Sequence, residues 1–341
     1  MKETSKLNIK IVSVFPKYSA LWNYGFQLNK YLSKNKTNNV EFVDLGNEKK
    51  YSSKIYRTLC LLKGIKIEKS DVLIIVAPLL AKTLKLSEAK LKICIAHDFY
   101  SLKNTKMNYL MEKLILKNIY SNIKYADLIL PVSDFCKSEI LEFYGLKNKL
   151  VKLNGGINHA EFRYEKTKAK QKSKKPTFIH VGRDDVRKNF RFVLELVKLF
   201  DAKLIKVGSI SKQDLTFIKE NSLDVEIKTK LTEKELAKVY SSADMLLFPS
   251  TYEGLGLPPI EAMACGCPVL AGNNTGLKEV CLKESLLELN LNLWQKEINK
   301  LLKDEIYKQN IVEKGLIKAK QFDWEKYCNK VTKLIEKKLK Q

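Results

Sequence analysis

The chain has 341 residues, 45% of them hydrophobic, and its 62 lysines and arginines outnumber 38 aspartates and glutamates for a formal net charge of +24. It is longer than one ordinary domain needs, and its apolar content suffices for a core in each of two, so a globular, bilobal protein is expected. Only five of the basic residues are arginine, the side chain that base readers and phosphate clamps favour, and the charge is spread through both halves; nucleic acid is therefore not an expected partner.

In chain order, the opening MKETSKLNIKIVSVF lacks a basic-then-apolar leader with a small-residue cleavage site, so no secretory signal is expected. Short apolar segments at Ile9–Phe15, Val40–Leu45, Val72–Ala77, Lys92–Ala96, Leu128–Val132 and Val151–Leu153 read as strands. Tyr24–Ser33, Lys106–Ile123 and Asp134–Tyr144 read as the helices between them. The longest apolar run, Val72–Ala81, contains Pro78 and falls short of the ~20 residues that a membrane-spanning helix needs. A lysine-rich stretch, YEKTKAKQKSKKP (164–176), reads as a solvated linker or long exposed loop.

After it the alternation restarts. TFIHVG, AKLIKVG, VEIK, DMLLFP and PVLA read as strands, Arg191–Phe200, Glu233–Tyr240 and Pro259–Ala264 as helices, and Leu286–Leu339 as a mostly helical tail broken near Phe322–Trp324. Strand and helix alternating in this way build parallel sheets, and the restart predicts an α/β protein of two Rossmann-like domains. The expected division is 1–163, the linker 164–176, 177–320, and a C-terminal helix 321–341 that packs back on the first domain. The seven cysteines avoid the paired C-x-x-C spacing of a zinc site and lie mostly in apolar segments, which reads as reduced thiols in a cytoplasmic core.

In an open parallel sheet the chemistry gathers at the carboxyl ends of the strands. HVGRDDVRKNF stands at such an end: Arg183 and Lys188 flank the loop that opens the next helix, and two cations beside helix-terminal amides can neutralise a pyrophosphate. The alternative is a set of surface ion pairs among Arg183, Asp184, Asp185 and Arg187. TYEGLGLPPIEAMACGCPV stands at another. Gly254 and Gly256 let bare main-chain amides approach an anion, Pro258 or Pro259 starts a helix, Glu253 faces whatever the anion carries, and Glu261 is placed to accept hydrogen bonds from a pair of hydroxyls. KICIAHDFY is the third, with His97 just past a strand, as a structural residue or a functional one. His159 and His180 read as structural.

RDDVRK followed by EGLGLPPIEAMACGCPV resembles the donor-binding half of the retaining glycosyltransferases of family 4, which have the two-Rossmann GT-B fold and a motif of two glutamates separated by seven residues. The likeness extends to KLTEKELAKVYSSADMLLFPS, VSDFCKSEI, NGGINHAEF and FDWEKYCNKV. It implies two domains facing across a cleft, and transfer of a hexosyl group from a UDP- or GDP-linked sugar, with retention, to a glycan, lipid-linked or other hydroxyl acceptor.

By that resemblance Arg183 and Lys188 bind the diphosphate, Glu261 the ribose hydroxyls and Glu253 the donor sugar, while the amides of Gly254, Leu255, Gly256 and Leu257 complete the phosphate cradle. Leu231 lines the base pocket or is simply core, and His97 sits near the sugar. The resemblance implies no cofactor and no bound metal, the cations and the helix dipole taking its place. It also implies a front-face reaction, in which Glu253 positions and stabilises and is not a nucleophile.

The chain departs from the family pattern after its first strand. In FPKYSALWNYGFQ the usual glycine-rich loop keeps only Gly25, and Trp22 and Tyr24 in the loop could stack on an acceptor sugar or simply pack. VCLKESLLELN, past Glu279, lacks a glycine-containing turn. Met107–Tyr125, an apolar stretch with interspersed lysines, reads either as a core helix with a solvated lysine face or as a helix in peripheral contact with an anionic membrane face. A nucleotide-sugar epimerase or a phosphorylase of the same fold, and a basic nucleic-acid-binding protein, are the rival readings.

Overall fold

The computed structural model describes residues 6–17, 19–47, 60–103, 110–165 and 175–341. By its packing the chain divides into two units, one running to Gly155 and including Trp324–Gln341, the other Gly156–Asp323.

The first unit holds β1 (Leu7–Ser13), β2 (Asn38–Asp44), β3 (Ser70–Ile75), β4 (Ala89–Ala96) and β5 (Leu128–Pro131), ordered β2-β1-β3-β4-β5 with every neighbouring pair parallel. Val72, Leu73, Ile74 and Ile75 of β3 are all fully buried. A central parallel strand is covered on both faces, which is why it reads as an unbroken apolar run and not an alternation. Edge strand β2 instead begins with alternating exposed and half-buried positions.

The second unit holds β6 (Thr177–Val181), β7 (Lys203–Val207), β8 (Val225–Lys228), β9 (Met245–Phe248), β10 (Val269–Gly272) and β11 (Leu286–Leu287), all parallel, in the order β11-β10-β9-β6-β7-β8. Numbered within the unit this is the Rossmann order 3-2-1-4-5-6. The helix Phe190–Phe200 shows why it holds: Phe190, Val193, Leu194 and Val197 recur at helical spacing and are buried against Phe178, Leu204 and Met245 of the sheet. Each such side chain contributes about 1.5–3 kcal/mol relative to exposure.

Several expectations shift. Val151–Leu153 is not a strand: Val151 N bonds Ile129 O at 3.0 Å and Leu153 N bonds Pro131 O at 3.0 Å, so the segment runs beside β5 without entering the sheet as a regular strand. The boundary expected at 163 lies at 155. Asn158 and Phe162 belong to the second unit, Asn158 Nδ2 donating to Glu233 Oε2 at 2.7 Å and the Phe162 ring lying 6.3 Å from that of Tyr240.

The final helix, Trp324–Leu339, is counted with the first unit, where Tyr31 Oη donates to Asn329 Oδ1 at 2.6 Å. Most of the lysine-rich linker, 166–174, lies outside the described residues, as do 107–109 of the apolar stretch; its described part contains the helix Leu110–Ser121. Among the described residues no helix is long and apolar enough to cross a membrane.

Candidate functional site

In the second sheet the strand order reverses between β6 and β9, and a doubly wound sheet binds ligands outside the carboxyl ends of its strands at such a point. Past β6 the chain turns at Gly182 beneath Gly208, whose φ is +113° and where a Cβ would lie 2.1 Å from the Gly182 carbonyl. Only glycine fits there.

Asp185 then organises the loop. Its side chain accepts from Arg187 N at 3.2 Å and from Arg187 Nε at 3.0 Å, and reaches Arg183 Nη2 only at 3.5 Å. Arg187 is thus held inward, while the Arg183 side chain stays 73% exposed and open to a ligand. The expected surface ion pairs are therefore partly real, but they engage Arg187 more closely than Arg183. Thr251 N donates to Arg187 O at 2.8 Å, tying this loop to the one after β9.

That second loop carries Glu253, 9% exposed. Its Oε1 accepts from Lys188 Nζ and from Ser250 Oγ, each at 2.5 Å. Its main chain is fixed as well: the amide donates to Thr275 Oγ1 at 2.9 Å, and the carbonyl accepts from Gly276 N at 3.0 Å. Gly256, at φ +101°, turns the chain into the helix Leu257–Ala264. No side chain caps that helix, and Pro258 and Pro259 have no N–H to offer. The amides of Leu255, Gly256 and Leu257 have no acceptor among the described residues, leaving a short row of donors for an anion.

One turn on, Glu261 is half-buried and its Oε2 accepts from Tyr240 Oη at 3.0 Å. Burial pushes its pKa up to about 7, with the nearby Glu233 adding to the rise and the Tyr240 bond opposing it.

Arg183, Lys188, Glu253, Glu261 and the run Gly254–Leu257 therefore all fall on the loops and helix starts after β6 and β9. Lys188 and Glu253, assigned separately to phosphate and sugar, are bonded to each other. Leu231 is half-buried after β8, immediately before Thr232, which caps the helix Glu233–Ser242 in a reciprocal pair with Glu235.

In the first unit, His97 follows β4. Its ring stands edge-on to Tyr24 at 4.4 Å, and its Nε2 is buried without a hydrogen-bond partner. Burial lowers its pKa to about 3, against a hydrogen bond with the Val76 main chain, so the imidazole is neutral. His180 is also neutral and buried, with Nδ1 2.9 Å from Leu247 O; His159 Nε2 lies 2.9 Å from Phe322 O.

Trp22, Tyr24 and Gly25 do not lie in a loop. Ser19 caps a helix, Ala20–Leu32, its Oγ accepting from Trp22 N at 3.2 Å, and all three residues are buried within it. Trp22 Nε1 donates to Asp44 Oδ2 at 2.7 Å and its ring stacks on Phe26 at 4.8 Å. Tyr24 takes Trp324 at 4.8 Å and Tyr327 at 5.5 Å against its ring. Their aromatic faces are covered, which removes the sugar-stacking reading. Gly25 lies against β2, where a Cβ would come 2.6 Å from Phe42 Cε2. The seven cysteines are free thiols, buried except for the half-buried Cys60.

The sequence reading passed over Ser250, Thr275 and Tyr240, which hold the two glutamates. Ser250 and Tyr240 were visible only as the ends of an apolar strand and an amphipathic helix.

Residues 162–318 match the family model described as glycosyl transferases group 1. The O-antigen chain mannosyltransferase B of Escherichia coli is 28% identical over 229 residues, 61% of this chain, and the match spans 60% of that relative's own length. Two solved structures share the fold nearly end to end. Sucrose-phosphate synthase from Thermosynechococcus elongatus superposes with a TM-score of 0.78 at 18% identity, over 97% of this chain and 99% of that one. Anabaena HepE, solved in complex with UDP-glucose, gives 0.74 at 15%, over 97% and 100%. Two parallel α/β units of this kind define the GT-B fold. The family match lies within the second unit, and that part of the chain is similar to the group 1 glycosyl transferases.

Proposed function

We propose that the protein is a hexosyltransferase that takes a sugar from a UDP- or GDP-linked donor and passes it, with retention and without a bound metal, to a hydroxyl of a glycan or lipid-linked acceptor. The observation that carries this reading is the grouping after β6 and β9 of two cations, Arg183 and Lys188, with three acceptor-less amides and a buried carboxylate. A diphosphate needs such donors, and stabilising it as it departs lowers the barrier where charge develops. The mannosyltransferase relative and the UDP-glucose held by HepE support a nucleotide-linked hexose.

In this reading Arg183, Lys188 and the amides of Gly254 to Leu257 take the diphosphate, Glu261 accepts from the ribose hydroxyls, and Leu231 borders the base. Glu253 positions the donor sugar. The bond from the anomeric carbon to the phosphate oxygen breaks, the acceptor oxygen bonds the same face, and its proton passes to the departing phosphate oxygen. His97, neutral and with an unpartnered Nε2, serves as a hydrogen-bond partner for the sugar and transfers no proton in the reaction. The protein acts in the cytoplasm, where its seven free thiols stay reduced, and reaches a lipid-linked acceptor from the membrane face.

The test is to incubate the protein with UDP- and GDP-hexoses and a panel of glycan acceptors. Nucleoside diphosphate released only when an acceptor is present, with NMR showing the donor's anomeric configuration in the product, supports the reading. An inverted product excludes retention, and sugar turnover without an acceptor favours an epimerase or hydrolase.

A further inference from the structure

The site loop rests on a cation that the functional assignment does not use. Lys206 lies in β7 directly beside His180 of β6, and only 1% of it is exposed. Its Nζ donates to the carbonyl of Gly182, the residue before Arg183, and to Val207 O at 3.3 Å. Lysines in central strands are rare because an ammonium loses its hydration there. A buried cation is normally matched by a carboxylate, yet among the described residues none stands within ion-pair distance of this one.

The surroundings of Lys206 point toward the donor site. From β6 it faces His180, which is neutral, and the Gly182 carbonyl. From the loop after β6 it feels Lys188, which opposes its charge, and Asp184, which favours it. The helix Phe190–Phe200 contributes the Phe190 ring, 5.1 Å from Nζ. The helix Lys212–Glu220 contributes Asp214, whose carboxylate already holds Ser211 Oγ at 2.8 Å and Arg191 Nε at 3.4 Å. Across Gly182, the Lys188 side chain comes within 3.2 Å of where a Cβ would stand. Two lysine side chains thus border one glycine, Lys206 through its ammonium and Lys188 through its aliphatic stem, and the carboxylate that bonds Lys188, Glu253, does not bond Lys206.

We propose that Lys206 is a buried third cation of the anion site, a positioning residue that holds the Gly182 carbonyl and the loop carrying Arg183 and Lys188, and whose proton is retained when a nucleoside diphosphate binds above it. The inference rests on the reading of the site as a diphosphate cradle. Burial, with the Lys188 charge second, lowers the Lys206 pKa to about 8, so its charge is incomplete in mildly alkaline solution. A bound polyanion favours the protonated form, and by linkage the protonated form favours the polyanion.

The experiment is calorimetric titration with UDP and with GDP between about pH 7 and 9.5, each in two buffers of different ionisation enthalpy. Wild-type protein is expected to take up roughly 0.3–0.5 proton per nucleotide near pH 8.5, and to lose about tenfold in affinity across the range. Lys206→Met, which keeps the length and removes the charge, abolishes the uptake and flattens the profile. A merely structural lysine would change stability and leave the uptake as it was. Binding with the same uptake in Lys206→Met overturns the inference and spares the diphosphate reading, and so does a wild-type affinity that does not change with pH, a result that needs no variant to fold. If neither nucleotide binds, the reading and the inference fall together.

Discussion

Lys188 Nζ and Glu253 Oε1 are 2.5 Å apart, with 12% and 11% of their side chains exposed, so the cation assigned to phosphate and the carboxylate assigned to sugar form one ion pair in the free site. Under the proposed function a donor diphosphate would compete with Glu253 for Lys188, and Glu253 would keep its second bond from Ser250 Oγ. Lys188→Ala strands a nearly buried carboxylate and is expected to cost about 1–3 kcal/mol of stability, less than a fully enclosed pair would. The double variant Lys188→Ala/Glu253→Gln should recover most of that stability without recovering nucleotide affinity. Denaturant melts of the four proteins test the coupling, and additive losses would show that the pair is not coupled.

Glu253→Gln keeps the shape and the bonds to Ser250 and Thr275 but removes the charge. Turnover is expected to fall about 100-fold, with nucleoside diphosphate affinity within a few-fold of wild type. Equal losses in turnover and nucleotide binding would return Glu253 to a purely structural role.

Glu261 gives the fold a pH dependence of definite sign. Its folded pKa of about 7 lies above the ordinary glutamate value of 4.5, so the folded chain holds the proton longer than the unfolded one. The stability this adds is fully present below about pH 4.5 and is lost as pH rises through 7, on the order of 1–2 kcal/mol for a half-buried group. Glu261→Gln should remove that slope between pH 5 and 8. It should also narrow the preference for UDP over 2′-deoxy-UDP, since the carboxylate that accepts from the ribose is gone.

At Gly276 a Cβ would meet the Gly254 carbonyl oxygen at 2.3 Å and the Glu253 carbonyl oxygen at 2.9 Å, both main chain. Gly276→Ala must therefore displace the loop whose amides are proposed to hold the diphosphate. A loss of about 1–3 kcal/mol and at least tenfold weaker nucleotide binding are expected. Unchanged binding would mean the amides are not part of the cradle.

Trp22→Ala tests the reassignment of the first-strand region. A buried, hydrogen-bonded indole costs about 3–5 kcal/mol to remove, and donor affinity should be untouched. A variant of wild-type stability with a raised acceptor KM would restore the sugar-stacking role.

The grouping of Arg183, Lys188, Glu253 and Glu261 was legible because its signals are local: glycines, prolines and charges fall in two short loops, and each loop follows an apolar strand. The alternation of strands and helices carried the two α/β units for the same reason. What lay hidden depends on neighbours distant in the chain. Tyr24 reads as a loop aromatic until Trp324 and Tyr327, three hundred residues away, close over it. Lys206 looks like a solvent-side lysine in AKLIKVG, and its burial follows from lying beside β6 under the Gly182 turn. The unit boundary at Gly155 has no compositional mark, whereas the lysine run after 164 drew the division there.

The most direct test of the central claim compares UDP with UMP, and GDP with GMP, by calorimetry on the wild-type protein, on Lys188→Ala and on Arg183→Ala. The account predicts that one nucleoside diphosphate binds at least tenfold tighter than its monophosphate and that either substitution erases most of this advantage. Equal affinity for mono- and diphosphate, or an advantage that survives both substitutions, would contradict it.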